Sequence, residues 1–466
     1  MRIDLPSEVL PADQLGRVHL IGIGGAGLSA IALLLHEAGV DVSGSDGRDS
    51  AVLQRLRAAG ITCHVGHDPA YLADRDTVIA STAVPEDNPE IVEAQRRGLR
   101  LWPRSAGLMS TMLGDRRIAI AGTHGKTTTT AMLTFALRGA GADPSFAIGA
   151  EVAGLGTNAR RGAGPEFVVE SDESDGAFLH YRPHAAVITN IDADHLDTWG
   201  TVEAYEQAFA EFAGTVEEVV ALSADDPGCR RLRETVDSPR LVTAGFADDA
   251  DVRGQDVEVV GSTTRFTVTA DDLPPTEVVL AVPGRHYAAD ALLALAIGRE
   301  LGHDVAGMVE GLAGYTGAAR RMEPKGEAAG VRVVDSYAHH PTEIAADIAA
   351  ARALAGDDRL VVVFQPHLVS RTRLFGARMG QELAAADLVV VADLYLAREA
   401  ADPDVTSALV VGAAGPHALA GGPVQDVPGF LLPLVRAGDL VLTLGAGDVT
   451  TVGPALLELL RDSGDE

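Results

Sequence analysis

The chain is expected to be an α/β protein of three domains, each carrying a mainly parallel sheet. Three observations predict this. Short apolar runs alternate with helix-length segments along most of its 466 residues. Two glycine-rich loops each stand between such a run and a helix. A new strand–loop–helix series opens near Arg116 and another set of strands near Arg320, in a chain long enough for two to four domains. The predicted division is residues 1–115, 116–319 and 320–466.

In the first part, Val18–Ile21 reads as a strand. A glycine loop and a helix through Ala30 to Ala38 follow, then strands at Val40–Val42 and Thr77–Ala80. In the second, Ile118–Ile120 is a strand that leads through a loop into a helix ending near Leu137. Phe167–Val169 and Ala186–Ile188 are two further buried strands, each running straight into polar residues. From Asp256 to Val282 the period becomes alternating, as around Thr264–Val268, which predicts antiparallel strands. A helix from about Ala288 to Leu301 closes this part. In the third, Val331–Val334, Leu360–Phe364, Leu388–Val391 and Leu440–Leu444 are strands of a second βα-type sheet.

Composition narrows the function. The formal net charge is −29, from 37 Lys+Arg against 66 Asp+Glu. A general nucleic-acid binder needs a basic surface, so that class is disfavoured, as is docking on anionic membranes. Any anionic ligand must be held by a local constellation against the global field. Only two of the 37 basic residues are lysines, Lys126 and Lys325; Lys325 is expected on the surface. Cys63 and Cys229 cannot make a disulfide framework or a zinc cluster. The N-terminal residues lack a basic n-region and an apolar core, and no 18-residue apolar run occurs, so a cytoplasmic chain without a membrane span is expected.

The first glycine loop, Gly22-Ile23-Gly24-Gly25-Ala26-Gly27, fits G-x-G-x-x-G. Its glycines let backbone approach a pyrophosphate lying on a helix N-terminus. Asp46, 19 residues beyond Gly27, stands where a ribose hydroxyl could be bound. The pattern serves a dinucleotide or another nucleotide diphosphate, and a tight structural turn would look the same. The second loop is more specific: Gly122-Thr123-His124-Gly125-Lys126-Thr127-Thr128 contains the G-K-T core of a phosphate-binding loop. Backbone N–H groups cradle phosphate oxygens, the lysine adds a point charge, and Thr127 can ligate Mg²⁺. Gly122 takes the place of the usual first glycine, so the loop is a shortened variant.

Acidic residues follow two strands. Glu170-Ser171-Asp172-Glu173-Ser174-Asp175 and Asn190-Ile191-Asp192-Ala193-Asp194-His195 would line one crevice, where Thr127, Glu173 and His195 could share Mg²⁺ with ATP phosphates. The third part places Asp335-Ser336-Tyr337-Ala338-His339-His340, Gln365-Pro366-His367 with Arg371, and Gly445-Ala446-Gly447-Asp448 at strand ends. A dehydrogenase needs the first loop and not the second; a kinase needs the second and not the first. An ATP-dependent enzyme acting on a nucleotide-linked substrate needs both.

Together these residues resemble the Mur ligase family. The resemblance rests on HLIGIGGAGLSAIA from His19, GTHGKTTTT from Gly122, ESDESDGAFL from Glu170, TNIDADHLDTW from Thr189, VPGRHYAAD from Val282, DSYAHHPTEI from Asp335, FQPH from Phe364 and LGAGDVT from Leu444. It implies a Rossmann-like UDP-binding domain, a central P-loop ATPase-type domain and a C-terminal Rossmann-like domain that contributes to the amino-acid and ATP sites. It implies ligation of L-alanine to the lactyl carboxylate of UDP-N-acetylmuramate through an acyl phosphate and a tetrahedral intermediate, with ATP and two Mg²⁺ ions (or Mn²⁺). By the same resemblance Gly22, Gly24, Gly25, Ala26, Gly27, Asp46, Ser81, Arg104 and His124 hold the UDP-sugar. Gly122 to Thr128, His286, Asp290, Arg321 and Asp335 hold ATP. Thr127, Glu173 and His195 hold metal; Tyr337, His339, His367 and Arg371 hold the amino acid. Lys126, Glu173, His195 and Arg321 are the implied catalytic residues.

Four positions depart from the family pattern. Tyr287 and Asp290 stand where asparagines are usual, Ser336 where a second Asp is common, and Leu368 where an Arg usually follows the FQPH histidine. The alanine carboxylate would then rely more on Arg371. Three alternatives remain: a family member that joins a tripeptide to the same UDP-sugar, an NAD(P)-dependent oxidoreductase using the first loop, and a non-catalytic nucleotide-binding protein. NIDADHLDTW and HHPTEI look more like the alanine-using members.

Overall fold

The protein is described here by a computed structural model covering residues 3–81, 84–174, 176–237, 239–397 and 399–464. Asp175 of the acidic run lies outside the described residues. Two compact units are present, one of Met1–Val252 with Ala291–Leu312, the other of Arg253–Asp290 with Ala313–Glu466.

The first unit contains two sheets. Strands β1 (Val18–Ile21), β2 (Val42–Asp46), β3 (Thr62–Val65), β4 (Thr77–Ala80) and β5 (Arg100–Pro103) form a parallel sheet in the order β3-β2-β1-β4-β5. All four residues of β1 are buried, because it is covered on both faces and paired on both sides. Strand order reverses beside β1, which opens a crevice at its C-terminal end. Helix α1 (Ala26–Glu37) starts there. It begins earlier than its apolar residues suggest, since Ala26 and Gly27 already form its first turn. β2 runs on through Ser43-Gly44-Ser45 for a packing reason: a Cβ on Gly44 would stand 2.7 Å from the Leu20 carbonyl oxygen. Small buried residues there read as loop.

The second sheet of this unit runs β12-β11-β10-β6-β9-β7-β8. Its strands are β6 (Arg116–Ala121), β7 (Ser145–Val152), β8 (Thr157–Arg160), β9 (Glu166–Glu170), β10 (Ala185–Ile188), β11 (Val219–Ser223) and β12 (Arg240–Gly245). All pairs are parallel except β7 with β8. Order reverses beside β6, whose continuation is the second glycine loop and helix α2 (Lys126–Gly139). Helix α3 (Val202–Gly214) packs Tyr205, Phe209 and Phe212 into one core with Phe178.

The second unit contains an antiparallel meander of β13 (Val252–Val260), β14 (Thr263–Ala270) and β15 (Leu273–Leu280), as the alternating pattern predicts. It also holds a six-stranded sheet in the order β16-β17-β21-β18-β19-β20. These strands are β16 (Glu323–Ala328), β17 (Val331–Ser336), β18 (Leu360–Phe364), β19 (Leu388–Ala392), β20 (Ala418–Gly422) and β21 (Leu440–Leu444). Only β16 is antiparallel to its neighbour. Helices α4 (Pro341–Ala355) and α5 (Val369–Leu383) follow β17 and β18.

Strands β3, β5, β7, β8, β11, β12, β16 and β20 are additional to those expected. Several are edge strands (β3, β5, β8, β16, β20), which bury fewer side chains and carry polar residues such as Thr157-Asn158 and Lys325-Gly326. Lys325, expected on the surface, is half-buried in β16 with its Nζ 2.7 Å from Glu323. Cys63 and Cys229 are free thiols. Among the described residues no helix is long and apolar enough to cross a membrane.

Candidate active site

The second glycine loop is shaped by its own glycines and by the residues after β10. Gly122 has φ 128°, and a Cβ there would stand 2.0 Å from Thr189 Oγ1. Gly125, at φ 82°, caps α2. The His124 N–H donates to Asn190 Oδ1 at 2.9 Å, and Asn190 Nδ2 donates back to the His124 carbonyl at 3.0 Å. Lys126, Thr127 and Thr128 form the first turn of α2, so the positive end of that helix faces whatever the loop binds.

Lys126 Nζ donates to the carbonyls of Gly122 (2.6 Å) and Thr123 (3.1 Å), and lies 2.8 Å from Glu173 Oε2. Glu173 is fully buried. His195 Nε2 stands 3.9 Å from Glu173 Oε1, on a backbone at φ 51°, a strained value for a histidine. The Trp199 indole N–H donates to the Glu173 carbonyl oxygen at 3.2 Å. Lys126, Glu173 and His195, from three segments, are therefore together. Burial works against the Lys126 charge, yet Glu173 and Asp172 outweigh it and hold the ammonium above its ordinary pKa. Burial pushes the Glu173 carboxyl up to about 7 against the pull of Lys126. The buried Glu173 carboxylate and the His195 imidazole, 3.9 Å apart, are donor types that divalent cations take, and Thr127, a buried residue, stands in the first turn of α2 after the loop.

The first glycine loop is held from behind. The Gly22 and Ile23 N–H groups donate to the Ser45 carbonyl, and Gly24 N–H donates to Asp46 Oδ2 at 3.0 Å. Asp46 thus braces the loop. Ser81 follows β4, its Cβ 3.9 Å from where a Gly22 side chain would begin. Arg104 lies so close to Gly27 that a Cβ there would stand 2.8 Å from its Nη1. Arg104 Nη2 also donates to Asp172 Oδ2 at 3.0 Å. Although burial opposes its charge, Asp172 is held well below the usual carboxylate range by Arg104 and Lys126. His124 Nε2 is 3.4 Å from Asp192 Oδ2.

The second unit gathers the remaining expected residues in two groups. Tyr337 and His339 meet edge to face, and His339 faces His367 with ring centroids 6.1 Å apart. Arg371 Nη1 is 3.4 Å from His367 Nδ1, one helical turn away. Leu368 is buried at φ 69° between His367 and the start of α5. Beside this group, the Arg321 guanidinium lies 5.1 Å from the Tyr337 ring centroid. Asp335 is fully buried and accepts from Thr443 (2.6 Å), Thr450 (2.7 Å) and Arg320 (3.2 Å). In the other group, the His286 ring lies 4.2 Å from that of Tyr287, tilted by 40°, with its Nε2 3.9 Å from Asp347 Oδ1, and burial lowers its pKa. Tyr287 is buried and donates to the Arg321 carbonyl at 3.2 Å. Asp290 is buried on the same helix as His286 and Tyr287, Arg285–Glu300.

Three family models match in order: "Mur ligase family, catalytic domain" over residues 17–116, "Mur ligase middle domain" over 120–298 and "Mur ligase, glutamate ligase domain" over 320–447. The chain belongs to the Mur ligase family. Among relatives of this Mur ligase, the UDP-N-acetylmuramate–L-alanine ligase of a Nocardioides species is 56% identical, covering 99% of this chain and all of that one. The ligase of the same name from Thermobifida fusca is 48% identical over 98% and 99% of the two chains. The crystal structure of a UDP-N-acetylmuramate-alanine ligase from Thermotoga maritima superposes with a TM-score of 0.81 at 28% identity, covering 96% and 99%.

Several residues of this Mur ligase site carried no sequence signal. Arg320 holds Asp335 and lies 4.9 Å from the Tyr337 ring centroid, from a backbone at φ 57°. Tyr395 stacks on His367 with rings 12° apart. Asp347 accepts a short hydrogen bond from the Ser336 hydroxyl, so a carboxylate from α4 stands beside the position where the family pattern has an Asp. Of these, only Arg320 sat next to a quoted residue.

Proposed function

We propose that this Mur ligase is an ATP-dependent ligase that joins L-alanine to the lactyl carboxylate of UDP-N-acetylmuramate. The observation that carries the chemistry is the convergence of Lys126, Glu173 and His195 at the mouth of a phosphate-binding loop. The 56% identity to a ligase named for L-alanine supports the choice of amino acid.

A carboxylate and an amine do not condense unaided in water, so the carboxylate is activated first. Its oxygen attacks the γ-phosphorus of ATP, the bond to the bridging oxygen breaks and ADP leaves. The amine of L-alanine then attacks the carbonyl carbon of the acyl phosphate, and inorganic phosphate departs from the tetrahedral intermediate as the amine loses a proton. Lys126 offsets the repulsion between an anionic nucleophile and the triphosphate. Thr127, Glu173 and His195 would hold Mg²⁺ (two ions in all, or Mn²⁺), which neutralises phosphate charge when bound.

Gly22, Gly24, Gly25, Ala26 and Gly27 would bind the UDP diphosphate at the start of α1, with Arg104 as its cation and Asp46, Ser81 and His124 around it. Gly122 to Thr128 would bind the triphosphate, and His286, Asp290, Arg321 and Asp335 the rest of the nucleotide. Asp290 can accept a bond from an adenine amino group but cannot donate one. Tyr337, His339, His367 and Arg371 would hold the amino acid. We assign these roles to domains at 1–115, 116–319 and 320–466.

The test is a phosphate-release assay with L-alanine, L-serine, glycine and a murein tripeptide offered separately. ADP should form only with UDP-N-acetylmuramate and an amino acid present, and fastest with L-alanine. ADP release that needs neither, or a preference for tripeptide, would overturn the proposal.

A further inference from the structure

Tyr205 lies on α3, outside every motif that marks the site. It is fully buried, with its ring edge-on to Phe209 at 5.1 Å and to Trp199 at 6.3 Å. Packing accounts for the ring but not for the hydroxyl, since a buried phenol needs a partner. Its oxygen is 2.9 Å from Thr123 Oγ1, in the phosphate loop, and 3.5 Å from Glu173 Oε1.

The direction of these bonds follows from valence. Thr123 Oγ1 donates its one proton to the Asp192 carbonyl at 2.9 Å and accepts from the Asp192 N–H at 2.9 Å. A hydroxyl has one proton and two lone pairs, so what remains for Tyr205 is a lone pair. Tyr205 is therefore the donor to Thr123. A phenol donating to a carboxylate would stand nearer 2.6 Å, and the 3.5 Å to Glu173 agrees with a proton directed elsewhere. The Thr123 carbonyl in turn accepts from Lys126 Nζ at 3.1 Å.

We propose that Tyr205 is a positioning residue of the nucleotide site. Its hydroxyl ties Thr123 and the Asp192 segment into one unit and stands 3.5 Å from Glu173 Oε1, the carboxylate paired with Lys126. It touches neither phosphate nor reacting atom, and acts through Thr123. The inference rests on Gly122 to Thr128 being the ATP loop.

The experiment is titration of the full-length protein with a fluorescent ATP analogue, with and without Mg²⁺, alongside steady-state kinetics. Tyr205→Phe keeps the ring and should raise the analogue Kd and the KM for ATP about five- to tenfold, the worth of one buried hydrogen bond. The KM values for UDP-N-acetylmuramate and L-alanine should stay within about twofold. Thr123→Val, which also removes both bonds to Asp192, should weaken binding at least as much as Tyr205→Phe, the double variant should be no weaker than Thr123→Val alone, and Thr123→Ser, which keeps the oxygen, should bind more tightly than Thr123→Val. Unchanged binding in Tyr205→Phe, additive losses in the double variant, or a parallel rise in all three KM values would overturn the proposal. If Tyr205→Phe does not fold, the valine and serine variants decide alone: equal binding by the two overturns it. Failure of the natural protein to bind the analogue would instead remove the ATP reading of the loop.

Discussion

The two glycine loops begin alike and end differently. Each leaves the strand beside which its parallel sheet reverses order, and each opens a helix. The first carries no cation. The cation beside it, Arg104, comes from the later helix Arg104–Thr111 and is shared with Asp172. The second has Lys126 within its own turn and faces the buried Glu173. Backbone shape alone is enough to hold a diphosphate; moving a phosphoryl group also needs a charge fixed where negative charge develops. In a chain of net charge −29 this difference is a local one, set by single residues.

The largest effect expected is from Lys126→Arg. The ammonium sits 2.6 Å from one carbonyl and 2.8 Å from Glu173, a space that a planar guanidinium does not fit. Ligation measured by phosphate release should fall about 10³-fold or more, in the range of lost transition-state charge stabilisation. Near-normal turnover would erase the contrast between the loops.

Glycine substitutions sharpen the contrast next. Gly122→Ala puts a Cβ 2.0 Å from Thr189 Oγ1 at φ 128°, so nucleotide binding should weaken about 10²-fold and the melting temperature should drop. Gly25→Ala meets nothing nearer than the Gly22 carbonyl oxygen at 3.5 Å, and should melt like the natural protein. Equal melting shifts in the two variants would show that the loops are equally strained.

Arg104→Ala separates the sites by substrate. The KM for UDP-N-acetylmuramate should rise about tenfold, typical of one charge-assisted contact, while the KM for ATP stays within about twofold. An equal rise in both would make the Arg104–Asp172 pair a strut of the second loop.

The smallest effect concerns the second unit and pH. Burial pushes the Asp347 carboxyl up to about 7, although the Ser336 hydroxyl and Arg321 pull it down. A carboxyl with a raised native pKa binds its proton more tightly folded than unfolded. Stability from this group is therefore present at low pH, declines as pH rises from about 4 to about 7, and is flat beyond. Asp347→Asn should remove that decline and gain about 1–3 kcal/mol at pH 8 relative to pH 5, read as a few degrees in melting temperature. A parallel pH profile for variant and natural protein would count against a buried neutral carboxyl.

Legibility tracked burial in part. β1, β18 and β21 are apolar because every face and both neighbours are covered, and those runs read as strands, whereas the equally buried β11 is not among the expected ones. The edge strand Glu323–Ala328 has an unpaired side, and its lysine, glutamates and proline read as loop. Lys126, Glu173 and His195 could be named beforehand because each follows a buried strand, where side chains converge on the crevice. Tyr287 and Leu368, which depart from the family pattern, turned out to be buried side chains.

By itself the sequence determined the three sheets, the two phosphate-type loops and the cations each could call on, because those depend on short runs whose geometry is local. Tertiary structure alone decided which distant side chains complete them. Tyr205 lies 82 residues from Thr123, and Asp347 11 from Ser336. Each stands on a helix at a position where the hydrophobic period allows any buried residue. Only the packing of that helix against its strand reveals that a hydroxyl or a carboxylate, and not just bulk, was placed there.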